Sequence, residues 1–298
     1  MPKYLLQLPV MLAILISFGA HAASFQGGAM LKCSGLPCMD IHFAGGNSIR
    51  MLMDTGNSSS LLDKAKAEQL GLKLDPAIGR DGKPVAGYVV ATLKDCYAGD
   101  APLGDLKVLV LDLKADIAKG SIPAADGTLA YTAFREKLLM LDYAHRKIAI
   151  APAGKDNAPC PGFCGEISHP TFGKQGPPMV VTSGFTVNGT PVSMQIDTLW
   201  SGTMLIYDAS VAKLGLSSAA SSQTKRPFPF TDGGVQMLEA RGISEGFGKG
   251  VLKRSAAIYF PTDGVHQPDG LFDGTVGDEL FQGHVLLMNF ATNQFSIS

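Results

Sequence analysis

The 298-residue chain lacks a surplus of charge of either sign. It holds 25 Lys and Arg against 26 Asp and Glu, a formal net charge of −1 at pH 7. Because binding to nucleic-acid phosphates usually needs a basic surplus or a basic face, this composition argues against nucleic acid as the main partner. Only 17% of the residues are charged and 46% are apolar. A chain with that balance can bury a core, which excludes an intrinsically disordered protein.

The chain also lacks the histidine spacing of metal sites and the motif of phosphate loops. Its six histidines show no H-x3-H spacing, and no glycine-rich segment ends in G-K-[S/T]. The serine run at Ser58, Ser59 and Ser60 forms no G-x-S-x-G elbow. We therefore expect no metal and no organic cofactor.

The five cysteines lack the C-x2-C spacing that metal sites favour. Cys33 and Cys38 form one local pair, Cys160 and Cys164 form another, and Cys96 stands alone. In an oxidising compartment the two local pairs are the simplest disulfide prediction, although five cysteines leave other pairings open.

One long apolar run is present, from Leu5 to Phe18. Lys3 precedes it, and an A-x-A sequence ends at Ala22. This pattern predicts a secretory signal peptide over residues 1–22, since a membrane-spanning helix needs about 20 apolar residues. We expect an exported protein, periplasmic or extracellular, with no stable membrane insertion once the signal is removed.

The rest of the chain contains an internal repeat. The stretches 126–150 and 273–297 align without a gap, and each begins Asp-Gly-Thr. Upstream of each stretch, an apolar segment leads into Asp-Thr. The same order in both halves predicts a duplicated unit. The predicted organisation is a first lobe over 23–150, a Pro/Gly/Cys-rich linker over 151–178 and a second lobe over 179–298.

Each half has the same predicted elements. Apolar residues alternate before each Asp-Thr, at 49, 51 and 53 and again at 192, 194 and 196, which predicts strands with one buried face. Asn188-Gly189 predicts a hairpin turn before the second strand. A short helix follows each Asp-Thr, over 63–70 and 208–214, and glycine closes it.

Asp54 and Asp197 end equivalent predicted strands, so a duplicated fold can bring both to one interface. Two carboxyls a few ångströms apart resist double ionisation, and one keeps its proton. The ionised member can then take a proton from water while the protonated member polarises a carbonyl. Because such titrations belong to the pair, neither role is assigned to one residue.

These motifs resemble those of the retropepsin-like and pepsin-like aspartic peptidases. Asp54-Thr55-Gly56 is similar to the family's first motif, and 126–130 and 273–277 are similar to its second. The resemblance implies a mainly β fold of two homologous β-barrel lobes with a cleft between them, in a monomeric chain. It also implies an endopeptidase that cleaves a peptide or unfolded protein with a water held between Asp54 and Asp197.

The resemblance implies further roles near the cleft. Thr55 and Thr198 would hydrogen-bond across the lobe interface, and Gly56 would let its backbone approach a carboxylate. Flap hairpins, which would close over the substrate, would lie at Gly87-Tyr88 and at 232–234, centred on Gly233. Trp200 would line the cleft. Asp126 and Asp273 are predicted to be structural, because Asp-Gly-Thr is ordinary turn chemistry.

Two positions depart from the family pattern. Leu199 follows Asp197-Thr198 where the family has glycine, and Ala130 stands where the second copy keeps Gly277. These departures leave open an alternative function: a catalytically impaired protein that binds a peptide or an envelope component in the same cleft without cutting it.

Overall fold

The computed structural model describes residues 24–79, 81–118, 122–153, 164–171, 178–216, 220–226, 235–248, 252–261 and 270–298. The predicted signal peptide and most of the predicted linker lie outside these residues. In the described parts of the chain, no helix has both the length and the apolar character needed to cross a membrane.

The described residues are mainly β-strand. The strands of the first half are β1 (Gln26–Ala29), β2 (Leu31–Cys33), β3 (Leu36–Phe43), β4 (Asn47–Asp54), β5 (Ser60–Asp63), β6 (Asp75–Ile78), β7 (Pro84–Ala98), β8 (Ala101–Leu111), β9 (Gly127–Ala130), β10 (Lys137–Asp142) and β11 (Lys147–Pro152). Those of the second half are β12 (Gly165–Ser168), β13 (Val181–Val187), β14 (Thr190–Ile196), β15 (Met204–Ile206), β16 (Ala220–Arg226), β17 (Val235–Phe247), β18 (Leu252–Pro261), β19 (Gly274–Val276), β20 (Val285–Asn289) and β21 (Gln294–Ile297). The helices are short: α1 (Lys64–Gln69), α2 (Lys114–Ala118), α3 (Asp208–Val211) and α4 (Asp278–Phe281), with 3-10 turns at Ala44–Gly46 and Tyr131–Phe134.

Each half contains a closed barrel of six strands. The first has the order β3-β4-β9-β5-β8-β7 and closes by pairing β7 with β3. The second has the order β13-β14-β19-β15-β18-β17 and closes by pairing β17 with β13. In both barrels the strand that leads into Asp-Thr runs parallel to the Asp-Gly-Thr strand, β4 beside β9 and β14 beside β19. The predicted mainly β, barrel-lobed fold class is confirmed.

Six of the strands outside the barrels join the two halves. β10 pairs with β20 in antiparallel fashion, from Leu138 opposite Asn289 to Asp142 opposite Val285. This pair is the centre of a continuous run, β1-β11-β10-β20-β21-β12, which leads into the second barrel. One apolar core extends through both barrels and this connecting sheet.

Local sequence signals explain several element boundaries. Asp63 caps α1, because its carboxylate accepts the Lys66 N–H at 3.2 Å, and Gly71 ends the helix with a φ of +63°. Asn188 and Gly189 form the predicted hairpin turn, both with positive φ. The predicted helix 208–214 is too long. α3 ends at Val211, and its N-cap residue, Tyr207, makes no capping hydrogen bond.

The cysteines follow the predicted local pairing where they are described. Cys33 and Cys38 form a disulfide that closes the β2–β3 hairpin. Cys96 is a buried free thiol. Cys164 is disulfide-bonded, whereas its predicted partner, Cys160, lies outside the described residues.

Candidate active site

The loops that follow β4 and β14 meet where the two barrels face each other. Asp54 is the last residue of β4 and is only 3% exposed, while Asp197 directly follows β14 and is partly exposed. Gly56 lies against the second carboxyl group so closely that a Cβ placed on it would stand 2.5 Å from the Asp197 Cγ. Glycine is therefore required at position 56 for the two loops to approach.

Two buried threonines connect the loops by reciprocal hydrogen bonds. The Thr55 hydroxyl donates to the Ile196 carbonyl at 3.0 Å, and the Thr198 hydroxyl donates to the Met53 carbonyl at 2.5 Å. Each hydroxyl also accepts the other threonine's backbone N–H, at 3.2 and 3.3 Å. Four hydrogen bonds shielded from water thus fix the relative position of the two aspartate loops.

Each aspartate accepts hydrogen bonds from the backbone of its own loop. Leu199 donates its N–H to Asp197 Oδ1 at 2.9 Å, and the Trp200 N–H also contributes. The Asp54 carboxylate has the equivalent donors in Gly56 and Asn57. In both loops the N–H groups two and three residues after the aspartate stabilise the ionised carboxylate.

Burial outweighs these donors and raises the pKa of both aspartates. The pKa of Asp54 is well above its ordinary value, first because the group is buried and second because Asp197 is nearby. Burial raises the pKa of Asp197 to about 6, against the lowering effect of the Leu199 and Trp200 N–H groups. Because the charge of Asp197 is one of the causes that raise the pKa of Asp54, the pair keeps one proton after Asp197 has ionised.

A second set of contacts holds the Gly56 loop from the opposite lobe. Gln195, two residues before Asp197, donates its amide N–H to the Gly56 carbonyl at 2.8 Å. The Gln195 amide oxygen accepts from the Thr275 hydroxyl at 3.4 Å, which in turn lies 3.1 Å from the Tyr207 hydroxyl. Sequence reasoning missed Gln195. The signal available was a polar residue between two core positions, Met194 and Ile196, of a predicted strand.

Asp126 and Asp273 support the strands that lead to the pair. The Asp126 carboxylate accepts the Arg50 N–H at 2.8 Å, and the Asp273 carboxylate accepts the Ser193 N–H at 2.9 Å. Arg50 and Ser193 each stand four residues before an aspartate of the pair. Both carboxylates therefore hold β4 and β14 at equivalent points.

The three residues predicted to contact substrate have different surroundings. Tyr88 is 47% exposed on β7, beside the short antiparallel strand β6. Gly233 lies outside the described residues. Trp200 is only 1% exposed and packs edge-on against Tyr259, at 5.8 Å between ring centres, in an apolar cluster separate from the main core. This burial gives Trp200 a packing role, and its predicted place in the cleft stays a prediction.

The two departures from the family pattern are also buried. Leu199 is 5% exposed and packs with first-half residues, and Ala130 is fully buried at the end of β9.

No three His, Cys, Asp or Glu side chains gather as metal ligands in the part of the chain that the structure describes.

Two barrels with paired carboxylates at their junction, held by reciprocal threonine contacts, form the arrangement expected of an aspartic peptidase. Residues 40–130 match the family model described as aspartyl protease. The match contains Asp54-Thr55-Gly56 and ends at Ala130, so the resemblance of the first barrel to the retropepsin-like aspartyl proteases is confirmed. Comparison with curated protein sequences found no match.

Proposed function

We propose that this chain is an exported aspartic-type endopeptidase in which Asp54 and Asp197 activate a water molecule between them. The observation that carries the proposal is the pair itself: two carboxyls of raised pKa at the ends of equivalent strands, fixed by the Thr55 and Thr198 contacts. The aspartyl protease match over the first barrel supports the same function.

The proposed reaction needs one proton shared by the pair. The ionised carboxyl takes a proton from water, and the resulting nucleophile attacks the peptide carbonyl carbon. The protonated carboxyl hydrogen-bonds the carbonyl oxygen as negative charge develops there. Proton return to the leaving amine completes the cleavage. The backbone N–H groups of Gly56 and Leu199 keep each carboxyl oriented throughout.

The shared topology of the two halves supports an internal duplication as the origin of the pair. β4 beside β9 and β14 beside β19 have the same parallel pairing, with β5 and β15 antiparallel to β9 and β19. The proposed substrate is an extended peptide or unfolded protein in the cleft between the lobes. Tyr88 is exposed on a hairpin of the first barrel, where a flap is expected.

The test is cleavage of an unfolded protein by the chain without residues 1–22, from pH 3 to 8, beside Asp54→Asn and Asp197→Asn. Asp40→Asn is the matched control, because Asp40 forms a surface ion pair with Arg50 away from the pair. We expect cleavage to rise as the pH passes about 6, because Asp197 ionises there while Asp54, whose pKa is raised both by burial and by the nearby Asp197, keeps its proton.

Loss of cleavage in both paired variants, with activity kept in Asp40→Asn, would support the proposal. Cleavage that survives in Asp54→Asn or Asp197→Asn would place the chemistry elsewhere. A folded protein that cleaves nothing at any pH would favour the alternative function, a cleft that binds a peptide or envelope component without cutting it.

A further inference from the structure

Leu199 inserts its side chain into the opposite half of the molecule. It is 5% exposed and belongs to a buried apolar cluster whose other buried members all come from the first half: Cys33, Leu36, Cys38 and Leu52. Leu31 and Ala125, also first-half residues, pack against the same cluster. The loop that carries Asp197 is thus anchored in the β2–β3 hairpin and in β4.

The same residue contacts the carboxyl group of the proposed catalytic pair. Its backbone N–H donates to Asp197 Oδ1 at 2.9 Å. Side chain and N–H belong to one residue, so a side chain locked in a packed cluster limits the rotation of the N–H that faces the carboxylate. Glycine at this position would supply the N–H without the anchor, and it would give the loop more backbone freedom.

The opposite loop is anchored at the equivalent place by different chemistry. Gly56 and Leu199 each stand two residues after an aspartate, and Gln195 and Leu52 each stand two residues before one. Gln195 holds the Gly56 loop through its hydrogen bond to the Gly56 carbonyl. Leu52 shares a buried cluster with Leu199. Each strand therefore supports the loop of the other lobe, by a polar contact in one direction and by apolar packing in the other.

We propose that Leu199 is a positioning residue for Asp197, and that its packing against Leu52 and the Cys33–Cys38 hairpin fixes the N–H that orients this carboxylate. The inference rests on the proposed function, since it assigns Leu199 a role toward a catalytic group. Leucine in place of glycine at position 199 thus anchors the Asp197 loop by packing, as the Gln195 hydrogen bond anchors the Gly56 loop.

The experiment is a pH titration of the Asp54 and Asp197 carboxyl carbons by NMR, with ¹³C-labelled aspartate and assignments from Asp54→Asn and Asp197→Asn. It requires no cleavage, so failure of the positioning role and failure of the proposed function remain distinguishable. The variants are Leu199→Gly, Leu199→Met and Leu52→Ala. Leu113→Ala is the control, since it removes an equally buried leucine from a separate cluster.

We expect Leu199→Gly to shift the titration of Asp197 to higher pH by about one unit, because an ionised carboxylate loses an oriented donor. Leu52→Ala should shift it in the same direction, and Leu199→Met should restore most of the original curve. Leu113→Ala should lower the melting temperature and leave the titration in place. Leu52→Ala keeps the loop sequence intact, so the test stands even if Leu199→Gly does not fold.

A titration of Asp197 that is equal in the native chain, Leu199→Gly and Leu52→Ala would overturn the proposal. So would an equal shift in Leu113→Ala, since general loosening of the core would then be the cause. If the native chain cleaves protein, the pH profile of cleavage by Leu199→Gly should move with the NMR titration, and a profile that does not move contradicts the positioning role.

Discussion

The loops after Asp54 and Asp197 have the same connections at their first residue and different surroundings at the next two. Thr55 and Thr198 make reciprocal hydrogen bonds. The following residues are Gly56 and Asn57 in one loop and Leu199 and Trp200 in the other. The backbone hydrogen bonds of the two loops are nevertheless equivalent. The Asn57 carbonyl accepts the N–H of residue 131, and the Trp200 carbonyl accepts the N–H of residue 278.

The residue at each motif position depends on the side chain that packs against it from the neighbouring loop. A Cβ on Gly277 would stand 2.2 Å from the Trp200 carbonyl oxygen and 2.4 Å from its ring. The first loop has Asn57 in the place of Trp200, and there the equivalent of Gly277 is an alanine, Ala130. Each departure from the family pattern is thus accompanied by a second difference that accommodates it.

The largest expected effect is the loss of cleavage on substitution of Gly56. In Gly56→Ala the new methyl group would displace the Asp197 carboxyl, which lies 2.5 Å from the Cβ position. Because a misplacement of about 1 Å at a catalytic group costs about 100-fold in rate, we expect at least that loss of cleavage. Leu199→Ala, at the equivalent position, should retain more activity than Gly56→Ala. Initial rates of both variants at one pH measure the difference, and the reverse order would contradict the prediction.

The next test is a pair of single substitutions, Gly277→Ala and Ala130→Gly. Gly277→Ala should destabilise the protein by about 2–4 kcal/mol, because the contacts it creates are with backbone as well as with the buried Trp200 ring. Ala130→Gly should cost about 1 kcal/mol, mainly through added backbone freedom in the unfolded chain. Urea unfolding gives both values. Equal effects would mean that Trp200 does not set the requirement for glycine.

Substitution of the threonines should show that this part of the two loops is equivalent. Thr55→Val and Thr198→Val each remove one buried hydroxyl and leave a carbonyl and an N–H without their partner. We expect each to lower the free energy of unfolding by about 1–3 kcal/mol, and by similar amounts. The double variant should cost less than the sum, since the two hydroxyls share one network. Strict additivity would argue against that network.

The smallest expected effect is that of removing a buried carboxylate charge. This change should stabilise the folded protein, whereas the substitutions above destabilise it. The pKa of Asp197 in the folded protein is raised to about 6. At any pH between the ordinary aspartate pKa and about 6, Asp197 therefore keeps a proton in the folded protein that it has lost in the unfolded chain. Stability therefore falls as the pH rises through this interval. Asp197→Asn should stabilise the protein by about 1–2 kcal/mol at pH 7 and have little effect at pH 3.5. Asp54→Asn should stabilise more, because Asp54 is more buried. A loss of stability at pH 7 would contradict the raised pKa.

The sequence predicted the fold class because its strongest signals are local. Alternating apolar residues before each Asp-Thr mark β4 and β14, and Asn188-Gly189 marks the turn between β13 and β14. The candidate pair was predictable because repetition placed two aspartates at equivalent strand ends. The reciprocal contacts of Thr55 and Thr198 followed from family resemblance and not from local pattern.

The contacts between the lobes were beyond local reasoning. Leu52 interrupts the alternation of Met51 and Met53, and it is buried because Leu199 from the other half lies on that face. Trp200 stands three residues after Asp197, yet its ring packs in a separate apolar cluster with Tyr259 and Met237. Where a side chain packs across some 140 residues of chain, periodicity carries no information about its partner.

The pairing of β10 with β20 has a consequence for how the molecule is made. β20 follows β10 by more than 140 residues, so the outer edge of β10 has no partner until that later segment has been synthesised. An unpaired strand edge is a site of aggregation, and contacts of such long sequence separation form slowly. The first half of the molecule would therefore leave the ribosome with an open strand edge that only a much later segment of the same polypeptide covers.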